Sequence, residues 1–163
     1  MRPSRRLDGI LRRVNPYLLK NIGDGPVVIR RIVNLIPDVK IDTVLQEGRF
    51  TVREVVAHLA DWEQLFRGRM NRALSRPNTS IIVHDETRRS VDLDYANSNL
   101  FEQLNIFSAQ RQKTRSLLKS LTDEELDKCF IHPIHGPTSI LDQANAIVGH
   151  DMYHVEQLTA YLI

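Results

Sequence analysis

Between Ser139 and Ile163 the chain places a polar stripe where a packed helix needs an apolar one, and this conflict limits what it can fold into. On a helix at 100° per residue, His150 and His154 lie only about 40° apart, with Cβ atoms roughly 6 Å from each other. Gln143, Gln157 and Tyr161 fall within about 40° of His150 on the same wheel, flanked by Ile147, Tyr153 and Leu158. Asn145, Met152, Glu156 and Thr159 occupy the opposite side, so the histidine stripe faces inward. An unpartnered buried polar group costs about 1–3 kcal/mol or more. Two imidazoles one turn apart can share a metal ion, which would satisfy them.

The rest of the chain supplies an ordinary globular setting. Its 163 residues, 42% hydrophobic and 26% charged, suit one soluble domain with a substantial core. The formal charge of +2 is mild and does not argue for a polyanionic partner. Part of it sits in residues 1–14, where Arg2, Arg5, Arg6, Arg12 and Arg13 read as a solvated basic arm rather than a nucleic-acid contact. One cysteine, Cys129, excludes an internal disulfide and suits a reducing compartment. No apolar run approaches the roughly 18 residues that span a bilayer. The expectation is a cytoplasmic protein with no membrane partner.

Helix signals dominate residues 15–163. Pro16 to Ile22 forms a first piece, Gly23-Asp24-Gly25-Pro26 interrupts it, and Pro26 to Ile36 continues with Val27, Ile29, Ile32, Val33 and Ile36 buried. Thr51 and Glu54 form a capping box that opens a helix to about Ser75, with His58 on the same inward face as Val55, Trp62 and Leu65. Residues 76–91 make a long connection with reach enough to cover a site. Another helix, starting at Asp92 or Asp94 and ending near Ser120, carries Leu100, Leu104, Phe107 and Leu118 at core spacing, and Leu121 follows it. A second capping box at Thr122 and Glu125 opens a short helix to about Lys128, and a turn-rich loop through His132 and His135 leads into the last helix. Four main helices with no alternating strand pattern predict an all-α, antiparallel up-and-down four-helix bundle.

A catalytic metal typically takes three protein ligands and leaves a position open. His58, inward on its own helix, is the best third partner for His150 and His154. Around them, Asp151 is a candidate acid or base with a solvated or capping role as its alternative. Gln157 is a neighbour one turn past His154, and Glu54 either accepts from His58 or serves its cap. Arg69 either meets an anionic substrate group or snorkels from the helix end. His84, His132 and His135 read as loop residues, Cys129 as a small apolar side chain, and Trp62 as core beside the site.

The runs Phe50-Thr51-Val52-Arg53-Glu54-Val55-Val56-Ala57-His58-Leu59-Ala60-Asp61-Trp62-Glu63, Asp85-Glu86 before a long helix, and Gly149-His150-Asp151-Met152-Tyr153-His154-Val155-Glu156-Gln157 resemble the DinB/YfiT-like family in order and from about Pro16 onward. The resemblance implies a bundle whose three histidines, matching His58, His150 and His154, bind a divalent metal such as zinc or nickel. It further implies thiol-dependent S-transfer, with bacillithiol or mycothiol as cofactor, or metal-dependent hydrolysis of a small electrophilic substrate, and a homodimer. The competing expectation is a non-catalytic metal-binding module for stress response or dimerisation.

Overall fold

The computed structural model describes residues 14–163. The basic arm expected over residues 1–14 lies outside them except for Val14, which is buried in the core. Asn15 caps α1 (Pro16–Val33) by accepting the Leu18 amide at 2.8 Å. This helix runs unbroken through Pro26, where the sequence predicts an interruption. Pro26 has no N–H to give the Ile22 carbonyl, and Arg111 Nη1 donates to that carbonyl instead, at 3.0 Å. The two glycines serve close packing. A Cβ on Gly25 would fall on the Asp151 carboxylate and 2.9 Å from Arg111 Nη1, and one on Gly23 would come within 3.1 Å of Arg115 Nε. Because the helix keeps one phase, Leu18, Ile22, Pro26, Ile29 and Val33 face inward and Val27 is exposed, contrary to expectation.

The capping box at Thr51 and Glu54 opens α2 (Val52–Ser75) as predicted. The long connection contains α3 (Glu86–Asp92), capped by Asp85. A helix beginning at Asp92 or Asp94 does not form, because Asp94 sits in the left-handed region at φ 50° and ends local propagation. Instead Asn99 caps α4 (Leu100–Ser120). The Thr122 box opens α5 (Asp123–Leu126). The expected turn-rich loop is a hairpin of β1 (Cys129–His132) and β2 (Gly136–Ser139), paired from Cys129 with Ser139 to His132 with Gly136. Strands of four residues, of which only Phe130 and His132 are buried, carry too little alternation to be seen in sequence. Ser139 caps α6 (Ile140–Thr159).

The helical bundle expected from the sequence forms from α1, α2, α4 and α6. Two apolar clusters fix its directions. One gathers Leu18, Ile22, Met70, Leu118, Ala144 and Ile147, and the other gathers Ile29, Val33, Val55, Leu59, Leu104 and Leu158. So α1 and α6 run one way, and α2 and α4 the other. This departure from strict alternation needs a connection that returns along the bundle between Ser75 and Asn99, and that return carries α3 past the start of α2.

At mid-bundle one buried side chain touches all four helices. Arg111 of α4 donates to Glu63 Oε2 of α2 at 2.7 Å, to both oxygens of Asp151 of α6 at 2.6 and 2.8 Å, and to the Ile22 carbonyl of α1. Arg111, Glu63 and Asp151 are each at most 4% exposed.

Candidate metal centre

Helix α2 contributes His58 near its start, and the antiparallel α6 contributes His150 and His154 from its second half. His58 is 1% and His154 2% exposed, and His150 is partly buried. His58 Nε2 lies 2.9 Å from His150 Nε2, which lies 3.3 Å from His154 Nε2. One ligand atom from each of the three falls within 4.8 Å of the others, and this is the one such group among the described residues. An ion with tetrahedral bonds of about 2.0–2.1 Å spaces its nitrogens roughly 3.3 Å apart. The three rings therefore fit a small divalent cation.

The protonation states also fit. Gln157 Nε2 donates to the Phe50 carbonyl at 3.0 Å, an atom that only accepts, so the amide oxygen of Gln157 faces His154 Nδ1 at 3.1 Å. His154 must then carry its proton on Nδ1, which leaves the Nε2 lone pair pointing at the centre. Burial pushes all three imidazoles below their ordinary range. The His58 value falls to about 3, with the charge of His154 adding to the effect. The His154 value falls to about 4, where burial outweighs the Gln157 hydrogen bond and Arg49 contributes. His150 is lowest, depressed by burial and then by His154, His58, Arg111 and Arg69. At neutral pH the site offers three uncharged donors.

Some neighbours follow expectation and others differ. Asp151 is neither solvated nor capping: both its oxygens are taken by Arg111. Glu54 closes its cap on the Thr51 amide at 2.8 Å. The carboxylate beside His58 is Glu86 of α3, whose Oε1 lies 3.8 Å from a His58 Nδ1 that has no hydrogen bond. Burial and the adjacent Asp85 push the Glu86 carboxyl above its usual range. Trp62 packs beside His58 with the two rings tilted and their centroids 4.5 Å apart. Arg69 does not snorkel free: it is half-buried, 5.5 Å from the Phe66 ring centroid, and lines a cavity of about 270 Å³ with His84. His132 and His135 stack on each other at 4.5 Å, and His132 Nδ1 accepts the amides of Ile134 and His135, which closes the hairpin turn. Cys129 is half-buried, and its thiol points at the Asp127 carbonyl.

Sequence reasoning missed Glu63, Glu86, Arg49 and Arg111 as residues of this region. Glu63 and Glu86 lie in the runs that carry the family resemblance, and Asp85 before a short helix is a cap signal that could have located Glu86; nothing local marks Arg49 or Arg111.

A second cavity, of about 230 Å³, opens beside the site and is lined by Arg49, Phe50, Glu86, Thr87, His154 and Gln157, among others. No described helix is long and apolar enough to cross a membrane.

The chain is 28% identical over 142 residues to a protein of Oceanobacillus iheyensis named "Putative metal-dependent hydrolase", a match covering 87% of this chain and 82% of that one. It is 27% identical to "Putative metal-dependent hydrolase YfiT" of Bacillus subtilis, over 82% of this chain and 76% of that one. The solved structure of Bacillus subtilis YfiT, described as having an unusual four-helix bundle topology, superposes with a TM-score of 0.85 at 23% identity, covering 99% of this chain and 91% of that one. With residues 25–158 matching the family's sequence pattern across all four bundle helices, the chain belongs to the DinB superfamily.

Proposed function

We propose that this protein is a metal-dependent hydrolase of a small molecule, with His58, His150 and His154 holding one divalent cation. The observation that carries the proposal is the convergence of three neutral Nε2 atoms, one of them fixed as a lone pair by the Gln157–Phe50 hydrogen-bond chain. The names of its relatives support the reaction class. A divalent ion held there would supply Lewis acidity, lowering the pKa of a bound water toward neutrality and deprotonating a bound thiol. The protein's own part is positional. Three uncharged ligands leave that acidity unquenched, Gln157 holds the His154 ring, and Arg111 clamps α6 to the other helices one residue from His150. Glu86 stands where it can take up the unpaired His58 Nδ1–H after a small side-chain movement. Three imidazoles suit zinc or nickel, and the position they leave open would take water or a low-molecular-weight thiol.

Metal analysis of tag-free protein tests the proposal. About one equivalent of zinc or nickel is expected after loading, and less than about a tenth of an equivalent in His154→Ala. Ester and amide substrates screened with and without low-molecular-weight thiols separate hydrolysis from thiol transfer. A wild-type protein that takes up no divalent metal overturns the assignment.

A further inference from the structure

The cavity beside His154 is not symmetric in charge, and its cationic side is built with care. Arg49 follows a hydrogen-bonded turn in which its amide donates to the Gln46 carbonyl at 3.1 Å. Gly48 stands at the third position of that turn with φ 76°, a conformation suited to glycine. The next carbonyl, of Phe50, is clamped by Gln157 Nε2 at 3.0 Å, the same amide that orients His154. The arginine is thus mounted on the hydrogen-bond chain of a candidate ligand.

Its guanidinium lies 4.9 Å from the Tyr153 ring centroid, and Tyr153 in turn contacts the His154 ring. Despite this fixed placement, Arg49 Nη2 is buried and forms no hydrogen bond. Glu156 Oε2, the nearest carboxylate, is 3.9 Å away on a largely exposed side chain. A guanidinium offers five donors in a planar fork that matches a carboxylate. Arg49 lines a cavity whose other residues include His154 and Glu86.

We infer that Arg49 is the anchor for a carboxylate on the substrate, so that the molecule processed at the three histidines is a small carboxylate-bearing compound held with its anionic end toward the Gly48–Phe50 turn. This rests on the metal-dependent reading above. The cavity, about 230 Å³ and below the roughly 300 Å³ of sites for drug-sized ligands, suits a substrate with few carbon atoms beyond its reacting group. The charge around it favours a monoanion over a phosphate dianion, because Glu86 lines the same space and Glu156 borders the arginine.

The test uses zinc-loaded protein and two series of hydroxamates, which bind zinc directly: one ends in a carboxylate after two to four methylenes, the other in a methyl group. Affinities are measured by calorimetry, independently of turnover. At one chain length the carboxylate form should bind at least about tenfold tighter than its neutral counterpart, as expected for a charge-assisted pair. That advantage should vanish in Arg49→Gln while the neutral series binds both proteins alike. Arg49→Met, which keeps the packing on Tyr153, replaces that variant should it not fold. No carboxylate advantage at any length, or one that persists without Arg49, overturns the inference. If the neutral series also fails to bind the wild type, the metal-dependent reading is wrong and this inference goes with it.

Discussion

At the scale of single residues, the three histidines were legible because helical periodicity decides which face a residue takes. His150 and His154 are one turn apart, and His58 shares a face with apolar residues. Gln157 was legible for the same reason, although its action depends on Phe50, which lies 107 positions away in the chain. Replacing Gln157 by leucine removes the acceptor of His154 Nδ1 and the donor to Phe50 together. Metal affinity in Gln157→Leu should fall about 10–100-fold, the usual effect of losing a partner that orients a ligand, as measured by competition with a chromophoric chelator. Unchanged affinity would show that packing alone holds the ring. The roles of Arg49, Glu63, Glu86 and Arg111 were not legible, because a charged residue on a helix or loop is normally solvated. What makes these four different is who meets them in space.

At the scale of elements, capping chemistry proved the most readable signal. Thr51 and Thr122 open their helices as predicted, because each cap is made of residues three positions apart. The misreading of Gly23–Pro26 as a break has the opposite cause. Proline removes a hydrogen bond from its own helix, but the carbonyl it strands accepts one from Arg111, 89 residues further on. Two outcomes follow from this contact. Gly25→Ala should destabilise the protein despite alanine's better helix propensity of about 1 kcal/mol, because its Cβ collides with the Asp151 carboxylate. Gly23→Ala should be near neutral, since the neighbouring Arg115 side chain can move. Thermal melts of the two variants compare them directly. Arg111→Met leaves two buried carboxylates and the Ile22 carbonyl without donors and should cost about 3–5 kcal/mol. In that background Pro26→Ala restores an amide for Ile22, so it should stabilise by about 1–2 kcal/mol more than it does in the wild type. A double-mutant cycle in urea showing no coupling would mean that Arg111 does not serve that carbonyl.

At the scale of the whole molecule, the bundle was legible as a class, but the course of its longest connection was not. Helix directions follow from which ends share an apolar cluster, and residues 76–99 carry no local sign of which end they return to. The histidine site joins two helices through the core, so its proton balance is a property of the fold as a whole. All three imidazoles are depressed below 6.5, to about 3 for His58, about 4 for His154 and lowest for His150, with burial as the leading cause. On acidification the unfolded chain therefore takes up protons first. The stability these groups give the metal-free protein is fully present above about pH 6.5 and is lost as pH falls, down to about 4 for His154 and about 3 for His58, by up to roughly 1.4 kcal/mol per pH unit for each histidine. Metal bound only by the folded chain adds to this, by about 4 kcal/mol at a concentration 1,000 times the Kd. Since the folded rings are already neutral, the metal displaces almost no protons from them. Three exposed histidines at pH 6 would together release about two. Calorimetric titration of zinc at pH 6, in buffers of different ionisation enthalpy, should therefore show less than about half a proton released from the three rings. A release near two would mean that these rings meet solvent before the metal arrives, contrary to a site prebuilt inside the bundle.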